Sequence, residues 1–131
     1  MIVIDSSALL AIAFVEPEKE AFETIIAGPE RCLVSAVNAY ETAIVLRMRW
    51  GSGALASFRR MLENNGIEII AFDEAQALAA AEAYGRYGKG IHPKARLNLA
   101  DCAAYALAKA MDAPLLFKGD DFAHTDVKTC D

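Results

Sequence analysis

The sequence has few of the residues that build disulfide frameworks, zinc sites or membrane spans. Its three cysteines, Cys32, Cys102 and Cys130, are odd in number and lack CxxC spacing, which favours neither disulfides nor a zinc knuckle. The longest apolar run, Ala8 to Val15, has eight residues, whereas a membrane-spanning helix needs about 20. No basic segment precedes that run, as one would in a secretory signal. We therefore expect reduced thiols and a soluble, cytoplasmic protein.

Positive charge is also scarce, since 18 acids against 13 bases give a net charge of −5. This balance argues against binding to nucleic acid, because phosphate neutralisation requires Lys and Arg. The bases are clustered, however. Residues 47–60 hold four arginines and no acid, and residues 86–96 hold Arg86, Lys89, Lys94 and Arg96, again with no acid. Each cluster is either an ordinary solvated surface or a phosphate-binding segment.

The order of predicted elements indicates one α/β domain over residues 1 to 131. With 55% hydrophobic and 24% charged residues, the chain can bury one core and is too short for two. Short β-branched runs predict strands at residues 1–4, 32–35, 67–72 and 114–117, with 127–129 as a candidate fifth. Helical spacing predicts a first helix that is capped by Ser6 or Ser7 and runs to about residue 13. Further helices are predicted between Pro17 and Gly28 and at residues 36–50, 54–63, 74–84 and 99–111. The alternation implies a three-layer α/β/α fold with a mainly parallel sheet of four to five strands.

Acidic residues follow two of the predicted strands. Asp5 ends the first strand, and Asp120 and Asp121 come a few residues after the fourth. In an open parallel sheet, ligands bind beyond the carboxyl ends of the strands. Each position also has an ordinary explanation, because Asp5 can cap the helix after it and the aspartate pair can form a turn. Position along the chain leaves both explanations open.

Two further acids lie on apolar faces of predicted helices. Glu41 shares a helical face with Val37, Ile44, Val45 and Met48. Asp101 shares one with Leu97, Ala104, Tyr105 and Ala108. Burying an ionised carboxylate is costly unless a cation or hydrogen-bond donors compensate, and neither face contains a base. A buried ion pair with a base from elsewhere is one solution, and a shared divalent cation is the other. Oxygen-only ligands favour Mg²⁺ or Mn²⁺ over zinc.

Cations held by carboxylates suit phosphodiester hydrolysis, because they bind phosphate oxygens and activate water. Ser6 and Ser7 have no histidine base in sequence context, so they are better suited to orienting Asp5 or a bound water, or to capping the helix. His92 and His124 lack metal-ligand spacing and are interpreted as surface residues, with a phosphate contact as an option for His92. The candidate RNA-binding set is Arg86, Lys89, His92, Lys94 and Arg96.

Taken together, these segments resemble PIN-domain ribonucleases, and more narrowly the VapC-type toxins of type II toxin-antitoxin systems. The resemblance runs through IVIDSSALLAI at residues 2–12, SAVNAYETAIVL at 35–46, RYGKGIHP at 86–93, LNLADCAAYALAKA at 97–110 and PLLFKGDDFAHTDV at 114–127. It implies a PIN-like fold. It also implies that the metal-binding and catalytic acids are Asp5, Glu41, Asp101 and Asp121, with Asp120 as an additional candidate.

The resemblance further implies an endoribonuclease that depends on Mg²⁺, with Mn²⁺ as a substitute. Its implied partners are a second copy of the chain and a small VapB-type antitoxin, and its unrestrained activity would arrest growth. Ala100 stands where such toxins often have glycine, and the loop near residues 94–96 is slightly longer than usual. Two alternatives are a PIN-like module that binds RNA or protein without cleavage, and a Mg²⁺-dependent phosphotransfer domain. Phosphatases of the latter type need a second aspartate where Ser7 stands.

Overall fold

A computed structural model describes residues 1–130 of the protein, and Asp131, the last residue of the predicted domain, lies outside the described residues. The strands are β1 (Ile2–Ile4), β2 (Cys32–Ser35), β3 (Ile67–Ile70) and β4 (Leu115–Leu116). The helices are α1 (Ser6–Ala13), α2 (Lys19–Ile26), α3 (Ala36–Trp50), α4 (Ala54–Asn64), α5 (Glu74–Tyr87) and α6 (Leu99–Ala110). A short 3₁₀ helix follows at Asp121–His124.

The four strands form one parallel sheet in the order β3-β2-β1-β4. β1 lies inside the sheet, where Val3 pairs with Leu33 of β2 and with Leu115 of β4. The predicted fifth strand is reduced to a single bridge between Leu115 and Thr129. Because the strands are parallel, their carboxyl ends all lie at one edge of the sheet. That edge receives Asp5 from β1, Ser35 from β2 and the loop after β4.

Side chains alternate between the two faces of β1 and belong to two separate cores. Val3 packs on one face with residues of α5 and α6. Ile2 and Ile4 pack on the other face with residues of α1, α2, α3 and α4. The predicted three-layer α/β/α arrangement is therefore confirmed. Among residues 1–130, no helix has both the length and the apolar content to cross a membrane.

The fold differs from the sequence-based prediction at β3 and α5. The predicted strand at residues 67–72 ends at Ile70 and is less buried than expected, since 52% of Ile69 is exposed. The reason is that β3 is the outermost strand of the sheet, next to β2. α5 runs past Gly85 to Tyr87, three residues beyond the predicted end. Packing against α6 outweighs the cost of one helical glycine, which is about 1 kcal/mol.

Candidate metal centre

Asp5 caps a helix and also forms the most buried part of the candidate site. It is the N-cap of α1, and only 2% of it is exposed. Oδ2 accepts the backbone N–H of Ser7 at 3.0 Å and the Ser7 hydroxyl at 2.6 Å, while Oδ1 accepts the side-chain amide of Asn38 at 3.3 Å. The two explanations that the sequence left open for Asp5 are thus compatible. Helix capping holds the carboxylate at the carboxyl edge of the sheet.

Electrostatic coupling connects Asp5 with two other predicted acids. Burial raises the pKa of Asp5 to about 7; the hydrogen bonds from Ser7 oppose this shift, and repulsion from Asp101 and Glu41 adds to it. Burial likewise raises the pKa of Asp101 to about 6, with the backbone hydrogen bond from Asn98 opposing and repulsion from Asp121 and Glu41 adding. Glu41 is thus close enough to raise the pKa of both aspartates, and Asp121 is close enough to raise that of Asp101.

Asp101 lies in the first turn of α6 and faces a small cavity. Its Oδ2 accepts the backbone N–H of Asn98 at 2.9 Å, and Oδ1 of Asn98 accepts the backbone N–H of Asp101 at 2.8 Å, which together form a capping box. Asp101 also lines a cavity of about 250 Å³ with Lys89, Arg96, Asn98 and Asp121. Its helical neighbours Leu97, Ala104, Tyr105 and Ala108 are buried as predicted. Asp101 itself is half-buried at the end of that face.

The predicted core position of Glu41 is wrong. Its helical neighbours Ile44 and Met48 are 49% and 83% exposed, and Glu41 itself is half-buried. α3 turns a different face inward, composed of Asn38, Ala39, Thr42 and Leu46. Two polar residues can lie on that face because each forms internal hydrogen bonds, with the Thr42 hydroxyl donating to the Asn38 carbonyl at 2.7 Å. Glu41 lies beside this face, close enough to affect the pKa of Asp5 and Asp101.

The two aspartates after β4, Asp120 and Asp121, differ in whether they line the cavity. Asp121 is the first residue of the 3₁₀ helix and lines the cavity, whereas Asp120 precedes that helix and is not among the lining residues. Both residues are exposed. The loop that carries them is anchored to α1, because the Lys118 backbone N–H donates to the Ser7 hydroxyl at 2.9 Å. Phe122 anchors its other end and is 3% exposed.

The acids fit a divalent cation by their chemistry. They offer only oxygen ligands, and none of the four forms a salt bridge among the described residues. Burial and mutual repulsion raise the pKa of two of them, a penalty that a bound cation would reverse. Within residues 1–130, no three Asp, Glu, His or Cys side chains are already close enough together to coordinate one ion. The carboxylates would have to draw closer on binding.

The candidate RNA-binding residues divide into two groups. Lys89 and Arg96 line the cavity beside Asp101 and Asp121. Arg86 points elsewhere, since it donates to the Tyr87 hydroxyl at 3.0 Å and lies 4.0 Å from Asp126. Nδ1 of His92 accepts the backbone N–H groups of residues 94 and 95, so His92 closes the turn of its own loop. Lys94 and His124 are exposed.

Sequence reasoning missed Asn38 and assigned Ser6 only in part. Asn38 is fully buried, and its side-chain amide contacts both Asp5 and Ser6. Ser7 contacts Asp5 directly, whereas Ser6 bonds to Asn38. One signal was available, because asparagine is unfavourable inside a helix unless its side chain finds a specific partner. Hydrophobic periodicity does not register that signal, since it scores Asn38 as polar and therefore outward.

Comparison with known proteins identifies the family of this chain. The PIN domain family model matches residues 2–128. A VapC ribonuclease of Mycobacterium bovis is 42% identical over 127 residues, covering 97% of this chain and 96% of that protein. The structure also resembles VapC20 of Mycobacterium tuberculosis, a sarcin-ricin loop cleaving toxin, with a TM-score of 0.80, 15% identity and coverage of 99% and 98%.

A second structure with the same fold is VapBC2 of Rickettsia felis, solved bound to a DNA fragment from its promoter. Its TM-score is 0.73 at 15% identity, with coverage of 100% of this chain and 98% of that chain. At these identities the two structural matches show the fold alone. The family model and the Mycobacterium bovis relative, by contrast, each cover nearly all of the sequence. The chain therefore belongs to the PIN-domain family and, within it, to the VapC ribonucleases.

Proposed function

We propose that this chain is a Mg²⁺-dependent endoribonuclease, with Mn²⁺ as a substitute, that acts as the toxin of a type II toxin-antitoxin module. One observation carries the proposal. Buried Asp5, whose pKa is raised to about 7, is electrostatically coupled to Asp101 and Glu41 at the carboxyl edge of a parallel sheet. A protein that used these acids only for stability would gain from pairing them with bases, and none of them forms a salt bridge among the described residues.

In this proposal, the cation is held by Asp5, Glu41, Asp101 and Asp121, with Asp120 as a further candidate from the neighbouring position. A divalent cation bound there would polarise the scissile phosphate and lower the pKa of the attacking water. The chain's own groups orient these ligands. Ser7 fixes Oδ2 of Asp5, and the capping box with Asn98 fixes the carboxylate of Asp101.

Lys89 and Arg96 are proposed to hold the RNA backbone. Both line the same 250 Å³ cavity as Asp101 and Asp121, so they supply positive charge at the point where the acids would otherwise repel a phosphate. The remaining candidates are proposed to act indirectly, because the contacts that the structure shows for them are made within the protein. These candidates are Ser6, Arg86, His92 and Lys94. This division of the basic segment can be tested by salt-dependent RNA binding.

The proposed partners are RNA, a VapB-type antitoxin and a second copy of the chain. Two observations support protein partners. The Rickettsia felis structure contains a VapBC pair, and α3 of this chain exposes Tyr40 and Met48 at 70% and 83%. Exposed large apolar side chains grouped on one surface mark protein interaction sites. We further propose that residues 1–131 form one PIN-like domain that acts in the cytoplasm, where its RNA substrate is found.

The test is RNA cleavage by the purified chain, freed of any partner, with Mg²⁺, with Mn²⁺ and with chelator. We expect endonucleolytic cleavage with either cation and none with chelator. Asp5→Asn and Asp101→Asn should each lower the cleavage rate by about 100-fold or more, as loss of a charged ligand group does. A matched control is Asp112→Asn, because Asp112 is an exposed acid that pairs with Lys128 at 2.8 Å. Binding of RNA without cleavage under every metal condition would instead identify a non-catalytic module.

A further inference from the structure

Asn38 is a polar side chain in the interior of the protein. It lies in the first turn of α3, and none of its surface is exposed. A buried amide costs free energy unless its donors and acceptors are used. The side-chain oxygen Oδ1 has no hydrogen-bond partner among the described residues, so this residue is not the best choice for stability alone. An apolar side chain of similar volume would fill the space without an unpaired oxygen of its own.

The donors of Asn38, in contrast, are all directed at the candidate site. Nδ2 lies 3.3 Å from Oδ1 of Asp5, 2.9 Å from the Ser6 hydroxyl and 3.2 Å from the Ala100 carbonyl. The opposite orientation of the amide would place Oδ1 against the Ala100 carbonyl, which cannot donate a hydrogen bond. The contacts therefore fix which end of the amide faces Asp5.

These contacts join three of the elements that carry predicted acids. Asp5 and Ser6 belong to the junction of β1 and α1, and Ala100 immediately precedes Asp101 in α6. Asn38 itself is one helical turn before Glu41 on α3. A single amide thus fixes the spacing among the elements that carry Asp5, Glu41 and Asp101.

Asn38 also completes the support of the Asp5 carboxylate. Oδ2 receives both hydrogen bonds from Ser7, and Oδ1 receives its hydrogen bond from Asn38. With both oxygens held, the carboxylate plane cannot rotate freely, and its remaining lone pairs point in fixed directions. Outer groups of this kind orient the residues that bind metal ions.

We propose that Asn38 is a positioning residue of the nuclease site: it orients Asp5 and holds α6 at the distance from α3 that catalysis requires. It acts through Asp5 and Ala100 and does not touch RNA. The inference rests on the proposed function, because it assumes that Asp5 and Asp101 serve the cleavage reaction.

The test replaces Asn38 with leucine, which has similar volume and no donor. We expect Asn38→Leu to weaken Mn²⁺ binding, measured by calorimetry on the full chain, and to lower kcat, each by about 10- to 100-fold as for other outer-shell changes. KM for RNA should stay within about twofold, because the RNA-binding groups are untouched. The melting temperature should fall modestly, because Oδ1 of Asp5 loses its donor while the unpaired oxygen of Asn38 is removed.

Thr42→Val is the matched control. Thr42 is fully buried one turn further along α3, and its hydroxyl donates to the Asn38 carbonyl at 2.7 Å without reaching any of the acids. We expect this variant to lose stability while it keeps kcat and Mn²⁺ affinity. If Asn38→Leu does not fold, Asn38→Ser provides a smaller variant in which the same losses of kcat and Mn²⁺ affinity are expected.

Two results separate failure of this inference from failure of the proposed function. An unaltered chain that neither binds Mn²⁺ nor cleaves RNA would overturn both. An unaltered chain that binds and cleaves, together with Asn38 variants of equal kcat and equal Mn²⁺ affinity, would overturn the role of Asn38 alone. Equal losses in the Asn38 variants and in Thr42→Val would also overturn it, because the effect would then follow from disturbing α3.

Discussion

The hydroxyl of Ser7 donates a 2.6 Å hydrogen bond to Oδ2 of Asp5 and accepts the backbone N–H of Lys118 at 2.9 Å. One short side chain thereby connects the end of β1 with the loop that leads from β4 to Asp121. The same carboxylate oxygen accepts the backbone N–H of Ser7. Asp5 and the Asp121 loop are therefore held in a fixed relation by the uncharged side chain of Ser7.

Ser7→Ala should weaken both activity and stability. Asp5 loses a hydrogen bond to its ionised form, so RNA cleavage in single-turnover assays with Mg²⁺ should slow by about 10- to 100-fold. The Lys118 N–H loses its acceptor, which should lower the free energy of unfolding in urea by about 1 to 2 kcal/mol. Ser57→Ala is the control, since the hydroxyl of Ser57, a half-buried residue of α4, accepts from Arg60 and α4 contains none of the four acids. Unchanged cleavage by Ser7→Ala would contradict the positioning role.

The metal-free protein should become less stable as the pH rises toward neutrality. The pKa of folded Asp5 is about 7, against an ordinary value of 3.8, so the folded state holds a proton that the unfolded state has released over that interval. The free energy of unfolding therefore decreases as pH increases. The shift of about 3 units corresponds to an upper limit of about 4 kcal/mol, and we expect about 2 kcal/mol between pH 4 and pH 8. Urea unfolding with chelator at a series of pH values measures this loss.

Asp5→Asn isolates the contribution of Asp5 to that pH dependence. This variant should flatten the curve in part, because Asp101, whose pKa is also raised, remains. It should be more stable than the unaltered chain near pH 8, because a buried charge is removed. Mn²⁺ added at that pH should stabilise the unaltered chain, since ligands that bind only the folded state favour it. Asp112→Asn should keep the original slope, because Asp112 is exposed and Lys128 lowers its pKa instead. A slope shared by all three proteins would show that Asp5 is not its source.

The sequence predicted most of the fold because hydrophobic periodicity and capping signals agreed with each other. The predicted bounds of β2 and α3 match the structure at both ends. The apolar face around Asp101 was also predicted correctly, because α6 is covered on most sides and every residue from Cys102 to Ala108 is buried. Hydrophobic periodicity predicted the inward face of a helix correctly where the burial of apolar side chains alone determines it.

The same reasoning failed on α3, where polar contacts decide the orientation. Periodicity placed Ile44 and Met48 inside, yet the buried face contains Asn38 and Thr42. Hydrogen bonds between elements far apart in sequence, such as that from Asn38 to Ala100, compensate those polar groups. Such pairs are not visible in a local pattern. A local pattern also does not show that Lys89 and Arg96 line one cavity with two acids from separate elements.

RNA binding should depend on Lys89 and Arg96 and not on Arg86. Affinity is best measured in the Asp5→Asn background, which prevents cleavage, at several salt concentrations. Lys89→Gln and Arg96→Asn should each reduce the slope of log affinity against log salt by about 0.7, the value for one phosphate contact on a single strand. Asparagine is chosen at position 96 because Arg96 has a φ of 53°, which asparagine tolerates.

Arg86→Gln serves as the control for this series. Arg86 donates to the Tyr87 hydroxyl and lies over its ring at 4.9 Å, so its charge is used within the protein. We expect the salt slope to stay unchanged and the melting temperature to fall slightly. A slope change equal to that of Lys89→Gln would show that the whole basic segment contacts RNA.

Gly88 determines where Lys89 lies, although it has no functional group. A Cβ at this position would meet the Tyr84 carbonyl oxygen at 2.5 Å, so Gly88→Ala must displace the backbone where Lys89 bonds to Leu97 at 2.8 Å. We expect weaker RNA binding and a loss of about 1 to 3 kcal/mol in the free energy of unfolding.

Gly85→Ala in α5 is the control, because its Cβ would meet nothing within 4 Å. That change should raise stability by about 1 kcal/mol, the usual gain from replacing a helical glycine, and leave RNA affinity unaltered. Equal RNA affinity in the two variants would show that displacing this backbone does not matter for binding.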